Sequence, residues 1–348
     1  MTADEAYGLA CQGSALLWRG DFQEARQMLN ALGRRADRKS TRKARGSAVA
    51  DSMTDPAEAF HLHRQARSQR ARALNALLIP LNDDYSIPLR RAPDIRQACV
   101  EAWGAADTTS VTPLRALLGV VGAHEWRTKG IDIVEAGGRI HPHFGVFAPI
   151  RREYVDLVAT APLPAACATC SLAFDIGTGT GVLASVLARR GVARVVATDV
   201  DPRALACASE NVRQLGLAER IDVVQADLFP DGRAALVVCN PPWIPARPSS
   251  PLENGIYDPD SHMLRGFLRA LPAHLVAQGE GWLILSDLAE HLGLRTRAQL
   301  LEEFESAGLR VMGTMSVPPR HPRAADKSDP LHAARAAEIT SLWRLALR

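Results

Sequence analysis

The sequence predicts an α/β protein: a doubly wound, Rossmann-like sheet preceded by an all-helical N-terminal domain. Three observations carry that reading. An apolar run at 172–176 breaks at three alternating glycines, Gly177, Gly179 and Gly181, and a helical pattern then runs from Val182 to Ala188. This is a strand–turn–helix opening in which glycines let the backbone approach a ligand at a helix N-terminus. From there on, strand-length apolar runs alternate with helix-length stretches, the pattern of a parallel sheet with crossover helices. Ahead of it, the apolar residues of 4–32 and 56–79 recur three and four apart, as helices require.

A length of 348 residues suggests roughly two domains, with the boundary read between 130 and 131. A hydrophobic fraction of 47% with 23% charge is ordinary for a globular chain and sufficient for a core without staples. No apolar run reaches the roughly 18 residues of a membrane span, and Met1 to Glu5 has neither a basic nor an apolar leader segment. The six cysteines show no framework spacing, so a reduced, cytoplasmic protein is expected. Cys167 and Cys170 form the one close pair; zinc would need two further ligands at matching spacing, and no metal is predicted. The net charge of +3 hides an asymmetry: from Arg19 to Arg96 there are 16 Lys and Arg against 9 Asp and Glu. The cluster is sharpest from Arg34 to Arg45 and is read as a basic linker over about 33–54, a solvated segment or a grip for an acidic partner or RNA.

In order, 4–32 reads as two helices broken at Gly20-Asp21, and Asp55-Pro56 as the cap and first turn of a helix running to about Ile79. Short helices follow at 94–103 and 112–119. Alternating apolar residues around Gly137-Gly138 suggest a hairpin within 131–147; His141 and His143, either side of Pro142, read as structural. Strands are predicted at 172–176, 194–199, 221–225, 234–240, 281–286, 309–317 and 339–348, and helices at 182–190, 202–215, 262–277 and 297–307.

The glycine turn alone is a weak signal, and Val182 stands where the dinucleotide motif G-x-G-x-x-G/A wants a small residue, which argues against a dehydrogenase. More telling is its company: Asp199 after the second strand, Asp227 after the third, and Asn240-Pro241-Pro242-Trp243 after the fourth. With these residues the chain resembles the class I S-adenosylmethionine (SAM)-dependent methyltransferases. Within them it resembles the nitrogen-methylating branch that includes the release-factor glutamine methyltransferases. The segment from Gly145 to Val158 resembles the proline turn and helix that these enzymes place before the first core strand. The resemblance covers about 141–348 and implies a seven-stranded sheet ending on an antiparallel hairpin.

It also implies a set of roles. The turn Gly177, Thr178, Gly179, Thr180 and Gly181 would pack against the amino-acid tail and ribose of SAM. Asp175 would contact the tail or, alternatively, only cap the helix behind it. Asp199 would accept from the ribose hydroxyls, with Asp201 as a competitor whose alternative role is to cap the helix from Pro202. Asp227, with Leu228 beside it, would accept from the adenine amino group. Asn240 and the Pro241 carbonyl would accept the N–H groups of a planar target nitrogen, the prolines stiffening the turn and Trp243 stacking on the target. The implied reaction is methyl transfer to an amide or amino nitrogen of a macromolecule. A protein glutamine is favoured; a guanine N2 or adenine N6 amino group in RNA or DNA is the alternative, for which 34–45 and 318–338 could grip phosphates. A non-catalytic SAM-binding scaffold is disfavoured by the intact Asn240 motif.

Overall fold

The computed structural model describes residues 1–47, 55–248, 253–320 and 324–348. The chain divides into two compact units, Met1–Trp126 and Arg127–Arg348.

In the first unit, α1 (Ala3–Cys11) opens on a reciprocal capping box between Thr2 and Glu5. Then come β1 (Leu16–Leu17), α2 (Phe22–Ser47), α3 (Pro56–Asn75), β2 (Leu77–Leu81), α4 (Arg96–Trp103), β3 (Ser110–Pro113) and α5 (Leu114–Lys129). The expectation of an all-helical region is therefore corrected: β2 pairs parallel with β1 and antiparallel with β3. Leu77, Leu78 and Ile79 were expected to end a helix. They stand before Pro80, where the α region is disfavoured, and they alternate buried and half-buried as a strand does. The basic linker is also corrected over 33–47, which α2 carries as helix. Arg, Lys and Ala are good helix formers and extend the segment without an apolar stripe. The rest of that linker, 48–54, lies outside the described residues.

The second unit begins with the expected hairpin, β4 (Ile131–Ile133) against β5 (Gly138–Ile140), turning at Gly137 with φ +79°. Helix α6 (Glu153–Thr160) leads to β6 (Leu172–Ile176), α7 (Val182–Arg189), β7 (Arg194–Asp199), α8 (Pro202–Gln214), β8 (Ile221–Gln225) and β9 (Ala234–Cys239). There follow α9 (His262–His274), β10 (Leu275–Ser286), α10 (Leu288–His291), α11 (Arg297–Ser306), β11 (Leu309–Val317), α12 (His332–Ala337) and β12 (Thr340–Leu347). The seven strands lie in the order β11-β12-β10-β9-β6-β7-β8. All run parallel except β12, which is antiparallel to both neighbours.

Period-two alternation sends the strand side chains into two cores. Ala173, Val195, Val238 and Trp282 pack on one face with α6 and α7; Phe174, Val237, Leu283 and Trp343 pack on the other with α9 and α11. The chain moves outward through β6, β7 and β8, then returns to lay β9 on the other side of β6. That reversal is a topological switch point, and the crevice beyond the carboxyl ends of β6 and β9 is where such sheets bind ligands.

Trp282 is fully buried, and its indole N–H donates to Glu280 at 3.0 Å; Glu280 in turn receives two bonds from Arg344. Trp282→Ala is expected to destabilise the second unit by about 3–5 kcal/mol through the cavity left under the sheet, read from urea unfolding midpoints.

Candidate active site

Strand pairing brings the motifs together. Ile176 of β6 lies opposite Cys239 of β9, so Gly177 and Asn240 leave the sheet side by side. The turn after β6 has left-handed backbone at each of its three glycines, φ +69°, +55° and +79°. At Gly181 a side chain would also meet the backbone of Ala208 at 3.3 Å, so this glycine lets α7 and α8 approach closely. At Gly179 a Cβ would meet nothing within 4 Å, leaving the front of the turn open as a cradle.

Two carboxylates hold this turn. Asp175 is 1% exposed, and its Oδ2 accepts from the Thr178 hydroxyl at 2.7 Å and from the Ala184 N–H at 3.0 Å. Of the two roles expected for it, the geometry displays the bracing of the helix behind. Asp199, at the end of β7, accepts from the Gly179 N–H through Oδ2 and from the Asp201 N–H through Oδ1, each at 3.0 Å. Asp201 itself accepts from the Arg203 N–H at 2.9 Å as the cap of α8 and pairs with the Arg203 guanidinium. Asp199 therefore faces the turn, and Asp201 does the capping.

Asp227 is exposed and has no hydrogen-bond partner among the described residues. Beside it Leu228 takes a left-handed backbone, φ +69°, and its carbonyl accepts from the Thr198 hydroxyl, tying the loop after β8 to the end of β7. Asn240 is half-buried, and its Oδ1 accepts the Trp243 indole N–H at 2.9 Å. Trp243 packs against both cores, with the Arg151 guanidinium 4.8 Å from its ring centroid. The expected stacking aromatic thus has partners of its own within the protein. Pro241 is buried and Pro242 half-buried, and Ile244 then bridges to Tyr257, closing the loop that Asn240 begins.

Several contributors were invisible in the sequence. Asn211, fully buried on α8, donates to the Thr180 carbonyl at 3.0 Å and accepts from the His141 N–H at 2.8 Å, clasping the glycine turn to the segment after the hairpin. His141 donates to the Arg127 carbonyl and His143 bonds Glu210, in keeping with their structural reading. Glu338, fully buried, accepts from Arg151 at 2.9 Å and from the Ser286 hydroxyl at 2.6 Å. None of these pairs has a local spacing to betray it.

Among the described residues, Asp199 and Asp227 line the ends of β7 and β8 as acceptors with no ion pair of their own, beside an open glycine cradle. This donor–acceptor set fits an adenosine with hydroxyls and an amino group to offer, and does not fit a phosphate chain. SAM meets that description: Asp199 would hold the ribose, Asp227 the adenine amino group, and the 177–181 turn the tail.

Residues 164–248 match the family model described as ribosomal protein L11 methyltransferase (PrmA). That span runs from before β6 through the Asn240 motif, and the strand order, with its one antiparallel member, accompanies it. The fold is that of the class I methyltransferases. A ribosomal protein L11 methyltransferase of Pelotomaculum thermopropionicum is 49% identical over 69 residues, 19% of this chain and 22% of the relative. A release factor glutamine methyltransferase of Cereibacter sphaeroides is 37% identical over 116 residues, 29% and 41% of the two chains. A tRNA1(Val) (adenine(37)-N6)-methyltransferase of Parabacteroides distasonis is 40% identical over 79 residues, 21% and 33%. Among solved structures, the ribosomal protein L11 methylase of Lactobacillus delbrueckii subsp. bulgaricus covers 51% of this chain and 69% of its own, at 19% identity and a TM-score of 0.35. The chain thus spans less than half the length of these curated relatives. Among the described residues, no helix is long and apolar enough to cross a membrane.

Burial lifts the Asp175 carboxyl from 3.8 to about 6, against the opposing pull of its bonds from Thr178 and Ala184. Between those two values the folded chain keeps a proton that the unfolded chain has released. Asp175 should therefore contribute progressively less stability as pH rises from 3.8 to about 6, and a constant amount above. Asp175→Asn is expected to flatten that part of the stability–pH curve, measured by urea midpoints across the window.

Proposed function

We propose that this protein is a SAM-dependent N-methyltransferase acting on a planar amide nitrogen, with a protein glutamine side chain as its target. In this reading residues 131–348 carry the catalysis and 1–130 lie outside it. The observation that carries the proposal is the placement of Asn240-Pro241-Pro242-Trp243 at the carboxyl end of β9, beside the glycine turn across the switch point.

An amide nitrogen is a poor nucleophile because its lone pair is delocalised into the carbonyl. SAM, when bound, supplies an electrophilic methyl group. The chain's task is to orient the target. Asn240 Oδ1 and the Pro241 carbonyl each accept one N–H, fixing the nitrogen so that its lone pair localises toward the methyl group. Oδ1 has two acceptor sites, and the Trp243 indole uses one, so the other serves the target. The rigid proline turn keeps the two acceptors at a fixed spacing. Catalysis on this plan is positioning and electrostatics, without a strong base.

Charge near the site supports protein over nucleic acid. Arg151 pairs with Glu338, Arg152 with Glu135, Arg203 with Asp201 and Arg320 with Asp156, so these cations are already neutralised. Phe147, which touches Gly255, is exposed, as are Ile150 and Ile256, giving the neighbourhood an apolar character suited to a peptide.

The test is transfer of labelled methyl from SAM into a cell extract, with the product then split between protease and nuclease. Label lost to protease alone is expected; label lost to nuclease alone would replace glutamine by a base amino group. Asn240→Ala is expected to cut transfer by about 100-fold or more while leaving SAM affinity unchanged. Asp199→Ala should instead weaken SAM binding in calorimetry by about 1.5–3 kcal/mol, the worth of a charged hydrogen bond; undiminished affinity would remove Asp199 from the ribose site.

A further inference from the structure

A continuous chain of contacts runs from the buried side chain of Glu338, just before β12, to the carboxamide of Asn240. The Ser286 hydroxyl and Arg151 Nη2 both donate to Glu338 Oε1, at 2.6 and 2.9 Å. Ser286 is itself fixed, its Oγ accepting from the Leu288 N–H at 3.0 Å. Arg151 lays its guanidinium on the Trp243 ring, and Trp243 donates its indole N–H to Asn240 Oδ1. Four separate segments of the second unit contribute: the approach to α6, the end of β10, the turn between α12 and β12, and the loop after β9.

Building on the methyltransferase reading, we propose that Trp243, held by Arg151 and Glu338, is a positioning residue that locks the Asn240 carboxamide with its oxygen toward the target. A carboxamide's two ends are nearly the same size, and rotation by half a turn exchanges an acceptor for a donor. With its NH2 toward the target, Asn240 would oppose donor to donor and reject the substrate nitrogen. The indole N–H can only donate, so it bonds the carboxamide only at oxygen and selects the productive orientation. A tyrosine at this position would have a hydroxyl that both donates and accepts and would not enforce that choice.

The Arg151 guanidinium keeps the indole seated by attraction to its face. Glu338, with no exposure, keeps the guanidinium seated, because a carboxylate so deep is retained only with charged and hydrogen-bonded partners. Removing the Glu338 charge therefore acts on Asn240 through two intermediates and touches neither the cofactor turn nor the target.

The experiment records the indole N–H signals of the nitrogen-15-labelled full chain, which has six tryptophans. The Trp243 signal is the one that disappears in Trp243→Phe. It is expected to exchange slowly with solvent in the wild type, and to shift and exchange at least tenfold faster in Asn240→Ala and in Glu338→Gln. An unchanged Trp243 signal in Glu338→Gln would overturn the relay. Should that variant fail to fold, Arg151→Met, at a half-buried site, gives the same reading. In turnover, Trp243→Phe keeps the ring and the guanidinium contact but loses the N–H. It is expected to lower kcat about tenfold, the worth of one hydrogen bond, with KM for SAM unchanged; an undiminished kcat would overturn the positioning role. Absence of methyl transfer by the wild type would sink the methyltransferase reading, whereas the indole spectra test the relay without turnover.

Discussion

The site depends on how a five-residue turn with three left-handed glycines is kept from collapsing. Two carboxylates do this from different directions. Asp175 grips the turn and the first helical residues from beneath, with its charge out of water, and Asp199 draws the Gly179 N–H toward the neighbouring strand. Asn211 adds a third hold from α8. The glycines supply the conformation, and these three side chains make it single-valued. A turn so held loses little freedom on binding, and preorganisation of that kind lowers the entropic cost of taking up a ligand.

The same economy appears across the switch point. Asn240 leaves β9 into a loop stiffened by Pro241 and Pro242 and closed by the Ile244–Tyr257 bridge. Its side chain has a fixed partner in Trp243, so both the backbone and the carboxamide are constrained. The glycine turn and the Asn240 loop are thus built from adjacent residues of paired strands, and each is stabilised by contacts that the other does not share.

Much of the sheet was legible in the sequence, for a physical reason. Parallel strands are short runs rich in apolar residues: 172–176 breaks at Gly177 and 194–199 ends on Asp199, and these two, with the more exposed edge strand 221–225, have the observed bounds. The cap at Asp201 was legible because a cap is a local bond. The strand at Leu77–Leu81 was not, since its apolar spacing continues the helical pattern of α3 and only Pro80 hints at the change. The helical extent of 33–47 was hidden by charge density that also suits a linker. The contacts of Glu338 and Asn211 were beyond reading altogether: Arg151 and Glu338 stand 187 positions apart, and His141 and Asn211 70. Resemblance indicated what Asn240 could do, but the partner that orients it is a property of the folded loop.

The antiparallel β12 has a consequence for how the molecule forms. It lies between β10 and β11, both of which precede it in the chain, so these two strands must wait apart, with their facing edges unpaired, until it arrives. Its pairing with β10 joins residues far apart in the chain, Glu280 and Arg344 being separated by 64 positions, and so closes more slowly than a local contact. Glu338 stands two residues before β12, so the carboxylate that pairs with Arg151 is positioned together with this strand. A nascent chain that already has its glycine turn in place would still lack the aligned clamp. The hold on Arg151 thus depends on the strand with the most distant pairing in the sheet.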